Sequence, residues 1–201
     1  MKSLSNTLHN KNSRIIITAL ALILFSYLFI ARCFELNFIQ DDAYTSLRYA
    51  KNFSEGKGLV FNEGEKVEGY TNFLWVMMIS GIAFTDKIFG LHVELDAAAQ
   101  VLSTFFGVLI IWLAFFLARE INKNRNRNFL HEFWDLAPPF LISVSLPFIY
   151  WSVSGMETSL FVSLTLLMVI LYLRSEKTNH SGIFFIAVSC LNSLLRPHRH
   201  I

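Results

Sequence analysis

At 201 residues, 54% of them hydrophobic and with a net charge of only +2, the chain carries more apolar surface than a soluble domain of this length buries, so a bilayer is its natural solvent. The charge is too small and too scattered to form the contiguous basic face that phosphate-backbone binding demands, which excludes nucleic acid as a partner. Charged residues fall in short clusters between long uncharged runs, the pattern of loops and spans in an all-α integral membrane protein.

Lys2, Lys11 and Arg14 precede the first apolar run without an acidic residue among them, which assigns 1–14 to the cytoplasm and 15–31 to a first span. The run ends in Ala31-Arg32-Cys33-Phe34 rather than a small-x-small cleavage pattern, so the span is read as uncleaved. Residues 32–96 form a long outer loop. Within it, Tyr44, Leu47, Ala50 and Phe53 recur at helical spacing and predict a juxtamembrane amphipathic helix over 42–53, started by Asp41 or Asp42 as N-cap and ended at Gly56 or Gly58. Leu59-Val60-Phe61, Asn62-Glu63-Gly64-Glu65 and Lys66-Val67 predict a short extended segment, a turn and a return. The apolar run 71–84 falls short of the ~20 residues a crossing needs, so it is read as a re-entrant or interfacial helix.

If 71–84 does not cross, the following spans are 97–118, 136–151, 159–173 and 182–195. The basic residues of 119–135, with Arg174 and Lys177, then face the cytoplasm. If it crosses, they move to the outer face, against the positive-inside rule; about five transmembrane helices is therefore the expectation. Cys33 and Cys190 share no metal or redox spacing and read as packed thiols.

Chemistry concentrates outside. Asp41 and Asp42, adjacent carboxylates beside a membrane, have two readings that remain open: helix cap, or general base. Glu68 and Glu157 each precede an apolar run in a small-residue setting, and Ser154 with Glu157 has the spacing of a capping box. Arg48, Lys66 and Arg196 are the outer cations placed to meet a phosphate, Arg196 also having the reading of a snorkelling anchor. No Walker loop, dinucleotide fingerprint or HExxH occurs, and the spans are almost uncharged, which disfavours pumps, metalloproteases and ion-coupled transporters.

Asp41-Asp42-Ala43-Tyr44, Arg48-Tyr49-Ala50, Gly58-Leu59-Val60, Asn62, Gly64-Glu65, Val67-Glu68-Gly69-Tyr70-Thr71-Asn72 and Leu74-Trp75 together resemble the first outer loop of bacterial GT-C glycosyltransferases, closest to the arabinofuranosyltransferase-like branch. Trp151-Ser152 with Ser154-Gly155-Met156-Glu157-Thr158 is similar to a second signature of that family, and Leu194-Leu195-Arg196-Pro197 begins a third. The resemblance implies transfer of a sugar from a polyprenyl-phosphate donor to a cell-envelope glycan or glycolipid acceptor, at the outer face of the bacterial cytoplasmic membrane. It implies Asp41 as base with Asp42 beside it, and Arg48, Lys66 and Arg196 as phosphate contacts. Glu68, Tyr70 and Asn72 would line the sugar pocket, with Glu157 at the substrate side. No nucleotide cofactor is expected, and a divalent metal is left open. Relatives continue from Arg-Pro into an acidic residue, a glycine and further spans, so the chain reads as the N-terminal part of a longer enzyme. The alternative is a non-catalytic membrane protein that binds a lipid phosphate or a partner membrane protein.

Overall fold

The computed structural model describes residues 11–65, 69–124, 133–175 and 181–195. Among these the structure is entirely helical: α1 (Lys11–Leu36), α2 (Asp41–Ser54), α3 (Phe73–Phe89), α4 (Leu95–Ile121) with a 3-10 turn at Asn122–Asn124, α5 (Ala137–Val144), α6 (Leu146–Val153), α7 (Thr158–Ser175) and α8 (Ser181–Ser193). Three helices are long and apolar enough to cross a membrane: Asn12–Leu36, Leu95–Ile121 and Thr158–Ser175.

That is fewer than the five spans expected, and each difference has a local cause. The run 136–151 is two helices, broken where Ser145 turns to extended backbone (φ −73°, ψ 112°) ahead of Pro147. Proline lacks the N–H needed to continue the ladder and fits only in the first turn of a helix, so α6 starts afresh at Leu146. The run 182–195 appears as α8, whose 13 residues extend about 20 Å, against a hydrocarbon thickness of roughly 30 Å. The run 71–84 forms α3, longer than expected, and stops at Gly90 in left-handed backbone (φ +62°), whose N–H donates to Asp86 O at 2.7 Å.

Side-chain bonds fix the directions of the helices. Trp112 Nε1 donates to Ser26 Oγ in the middle of α1 at 3.2 Å, while Gln100 near the start of α4 donates to Phe38 O at 3.0 Å, so α1 and α4 are antiparallel. Asn122 bonds Asp135 at 2.7 Å before α5, and Thr104 bonds Ser152 O at 3.3 Å late in α6, so α5 and α6 together also oppose α4. Ser103 meets Met156 O at 3.2 Å and Glu120 pairs with Arg174 at 3.3 Å, so α7 runs parallel to α4. Asn192 reaches Thr165 at 3.2 Å and Ser189 reaches Met168 Sδ at 3.1 Å, turning α8 back along α7. The result is a bundle around α4 whose successive segments alternate in direction.

One end collects residues 37–65, 69–72, 90–94, 154–157 and Leu194–Leu195; the other collects 122–124, 133–136 and the end of α7. Helix α3 belongs to the first end. Its residues Trp75, Val76 and Ile79 join a core with Leu47 and Ala50 of α2, Ala99 of α4, Leu160 of α7 and Leu195. A second core joins Phe29 and Cys33 of α1 to Ile111, Ile149 and Val153.

The bundle's outer surface is apolar, with Leu20 and Phe34 of α1 60% and 75% exposed, Val101 of α4 64%, Leu141 of α5 63% and Ile186 of α8 63%. A band of large apolar side chains on several helices suits hydrocarbon and not water. Cys33 is buried, but Cys190 is exposed, so only Cys33 is the packed thiol expected of both.

Gly107 permits the close approach of α1, α4 and α6. A Cβ built there lies 2.6 Å from Phe29 Cζ and 2.9 Å from Ser152 Oγ, whereas one built at Gly81 meets nothing within 4 Å. Gly107→Val is expected to destabilise the bundle by about 1–3 kcal/mol through overpacking. The measure is a lower thermal unfolding midpoint in detergent micelles, with Gly81→Ala as a control that keeps or raises it. An unchanged midpoint for Gly107→Val would contradict the packing described.

Candidate active site

The α1–α2 connection ends at Gln40, the N-cap position, in extended backbone (φ −79°, ψ 140°) and with no side-chain cap. The expectation that Asp41 or Asp42 caps the helix is therefore corrected: both lie inside the first turn and both are exposed. Their charge still suits the positive end of the helix dipole. Residue spacing sends them to different faces, Asp41 in line with Thr45 and Arg48, Asp42 in line with Ser46 and Tyr49. The Gln40 side chain is held elsewhere, its Oε1 accepting from Tyr150 Oη at 3.1 Å.

Ser46, on the Asp42 face, is buried against Asn72 just ahead of α3. Asn72 Nδ2 donates to Ser46 Oγ at 3.0 Å and to Glu157 Oε2 at 2.8 Å, while Ser46 Oγ donates to Asn72 Oδ1 at 3.3 Å. Asn72 and Glu157, 85 positions apart, are thus in direct contact. The capping box expected of Ser154 and Glu157 does not form. Helix α7 starts only at Thr158, Phe161 N–H donates to Glu157 O at 2.9 Å, and the Glu157 carboxylate accepts from Asn72 instead. Ser154 Oγ donates to Trp151 O at 2.8 Å and accepts from Met156 N at 3.4 Å.

The same turn gathers its neighbours through backbone. Ser154 O accepts from Gln40 N at 3.0 Å, Gly155 O from Trp75 Nε1 at 3.2 Å, and Met156 O from Ser103 Oγ at 3.2 Å. Gly155 itself has φ +75°, and Ile39 and Ala43 crowd the side where a Cβ would stand. The backbone conformation favours glycine, and a Cβ would oblige the Ile39 side chain to give way slightly.

Tyr70 packs edge-on against Tyr49 at 4.9 Å between ring centroids, and Tyr49 Oη accepts from Gly69 N at 2.9 Å. Arg48 is engaged by the following loop: Nε donates to Phe61 O at 2.8 Å, Nη2 to Asn62 Oδ1 at 3.0 Å, and the guanidinium lies 4.5 Å over the Phe61 ring. Asn52 Nδ2 adds bonds to Val60 O and Phe61 O. No strand forms among the described residues of this segment, where side chains of α2 satisfy these carbonyls, and the expected turn is present, with Glu65 N donating to Asn62 O at 3.2 Å. Lys66, Glu68 and Arg196, with the Lys66-Val67 return, lie outside the described residues.

On the opposite face of α2 an open groove of about 1100 Å³ runs to the end of α3 and the start of α4, lined by Tyr44, Arg48, Lys51, Lys87 and Asp96 among others. Glu55 and Lys57 pair at 2.8 Å on its wall. The bond from Lys57 holds the Glu55 carboxyl below its ordinary value, and the same bond raises the Lys57 ammonium. Among the described residues no three His, Cys, Asp or Glu side chains gather as a metal-binding group.

This end of the bundle presents two exposed carboxylates on a fixed helix start, a half-buried carboxylate locked by an amide, and a groove of mixed polarity alongside. Ser46, Gln40 and Tyr150 were missed by sequence reasoning. Only the buried position of Ser46 in the α2 pattern signals its role, since its partner is remote in sequence.

Asn72→Leu is expected to cost about 1–3 kcal/mol of stability, since it leaves Ser46 and the Glu157 carboxylate without their donor. Combined with Glu157→Gln it should show coupling of about 0.5–3 kcal/mol in a double-mutant cycle of chemical unfolding, and strict additivity would deny the contact.

No family model, curated protein or solved structure matches the chain.

Proposed function

We propose that the chain is the membrane module of a glycosyltransferase that moves a sugar from a polyprenyl-phosphate donor to a cell-envelope glycan or glycolipid acceptor at the end of the bundle holding α2 and α3. The observation that carries this reading is the meeting of the two segments on which the resemblance to GT-C enzymes rests. Residues 41–75 and 151–158 are joined by Asn72 to Glu157 and by Trp75 to Gly155, with Asp41 and Asp42 exposed beside them.

In this reading Asp41, or Asp42 on the face shared with Ser46, takes the proton of the acceptor hydroxyl. The hydroxyl oxygen then attacks the anomeric carbon, the bond from that carbon to the donor phosphate breaks, and polyprenyl phosphate leaves. Freedom from capping leaves both carboxylates available for this step. Asn72 and Glu157 fix the floor of the site instead of contacting the sugar as free groups. The groove carries both signs of charge, Lys51 and Lys87 against Asp86 and Asp96, while two nitrogens of Arg48 are occupied by the loop. The groove's mixed polarity suits a hydroxyl-rich acceptor.

The alternating directions of α1, α4, α5 with α6, α7 and α8 support five crossings, with the N-terminus and the Arg119–Lys123 and Arg174 region in the cytoplasm and α2 and α3 on the outer face of a bacterial inner membrane. In a background with Cys33→Ser and Cys190→Ser, Glu63→Cys should react with an impermeant maleimide in intact cells, and Lys123→Cys only after permeabilisation. The opposite labelling would invert the topology.

In proteoliposomes supplied with a polyprenyl-phosphate sugar and an envelope acceptor, Asp41→Asn, or Asp42→Asn if Asp42 is the base, should lower transfer by about 10²–10⁴-fold. Lys123→Gln, at the other end, should not. Full transfer by both aspartate variants would overturn the assignment. Binding of the donor by the wild-type chain without turnover would favour the non-catalytic alternative.

A further inference from the structure

Away from the groove, a crevice of about 330 Å³ opens between the end of α1 and the first half of α4. Its walls are almost wholly apolar, and its rim is made by Phe34, Val101 and Phe105, which are 75%, 64% and 59% exposed. Both helices are long and apolar enough to cross a membrane, so the medium at this rim is hydrocarbon. Cys33 lies buried at the inner wall. Polar groups occur towards the α2 end, where Asn37 ends the turn of α1 and the Gln100 amide donates to Phe38 O.

We infer that this crevice holds one acyl chain of a zwitterionic phospholipid from the leaflet on the α2 side, its headgroup level with Asn37 and Gln100. The surroundings decide the occupant. An apolar slot opening onto lipid is filled by the chains that surround it, because any space left unfilled there would forfeit dispersion contacts. At the roughly 30 Å³ that a water-sized group takes up in a liquid, the volume admits about ten chain carbons. Among the described residues no lysine or arginine lines the crevice, and Arg32 nearby is paired with Glu35 at 2.8 Å. The nearby charge is thus balanced as a pair, which matches the paired charges of a zwitterionic head better than the net charge of an anionic one such as a polyprenyl phosphate. The chain would act as a wedge that holds α1 against α4 above the Phe29 and Gly107 contact. This inference is independent of the glycosyltransferase reading.

Cys33 supplies the reporter. In the Cys190→Ser chain, delipidated in detergent, Cys33 should react with an apolar maleimide. Phosphatidylethanolamine at near ten times its Kd should slow that reaction by about tenfold. Native mass spectrometry should find one phosphatidylethanolamine retained, lost in Ala97→Trp, which fills the crevice, and kept in Leu141→Trp on the lipid-facing side of α5. The inference falls if phosphatidylethanolamine gives no protection, if Ala97→Trp retains the lipid equally, or if polyprenyl phosphate alone protects. Should Ala97→Trp fail to fold, protection of Cys33 in the otherwise native chain decides the matter.

Discussion

A single turn, Ser154-Gly155-Met156, governs the arrangement at the α2 end. Three successive carbonyls of that turn accept from the α1–α2 connection, from α3 and from α4, so one irregular piece of backbone fixes three elements at once. Near hydrocarbon an unsatisfied carbonyl costs several kcal/mol, and a non-helical stretch survives there only where protein groups satisfy it. The donors are therefore a condition of the turn, and the turn is a condition of where they sit. Gly155 holds the turn from the other side, since its left-handed backbone strains any side chain and a Cβ there would press on Ile39 at 3.3 Å.

From this anchor the remaining geometry follows in layers. Trp75, fully buried and bonded to Gly155 O, holds the start of α3, which brings Asn72 to Glu157 and Ser46. Helix α2 is then gripped between Ala43 at the turn and the α3 core, which sets Asp41 and Asp42 at the rim rather than in the interior. Its far end is secured by Arg48 and Asn52, which draw residues 60–62 down onto the helix. The carboxylates thus stand on a helix start pinned at both ends, a rigidity that positions reacting groups better than a loop does.

Much of this was legible in the residues. Uncharged runs marked the helices, the Tyr44, Leu47, Ala50 and Phe53 spacing marked α2, and Gly56, at φ +83°, stands where its end was expected. The errors share a physical origin. Asp41 and Asp42 satisfy the local preference for a cap, and Ser154 with Glu157 satisfies that for a capping box, but both preferences are worth only about 1 kcal/mol and yield to tertiary bonds. Glu157 is drawn to Asn72, and the helix start shifts to Thr158. Pro147 broke a run that hydropathy treats as continuous, because hydropathy does not register a missing N–H. The carbonyl that Arg48 meets lies 13 residues on, and no local pattern announces that contact.

The bond between Asn72 and Glu157 has a consequence for the making of the protein. Its two ends emerge 85 residues apart, which at about 5–20 residues per second separates them by roughly 4–17 s of synthesis. Through that interval α2 and α3 have left the ribosome while Gly155, the acceptor for Trp75, does not yet exist. The nascent segment must wait, with Trp75 unburied on that side and Asn72 lacking Glu157, until α6 and the turn arrive. A substitution that delays α6, such as one altering the Ser145–Pro147 break, would lengthen this exposure and present the waiting helices to proteases and membrane chaperones well before it altered the finished fold.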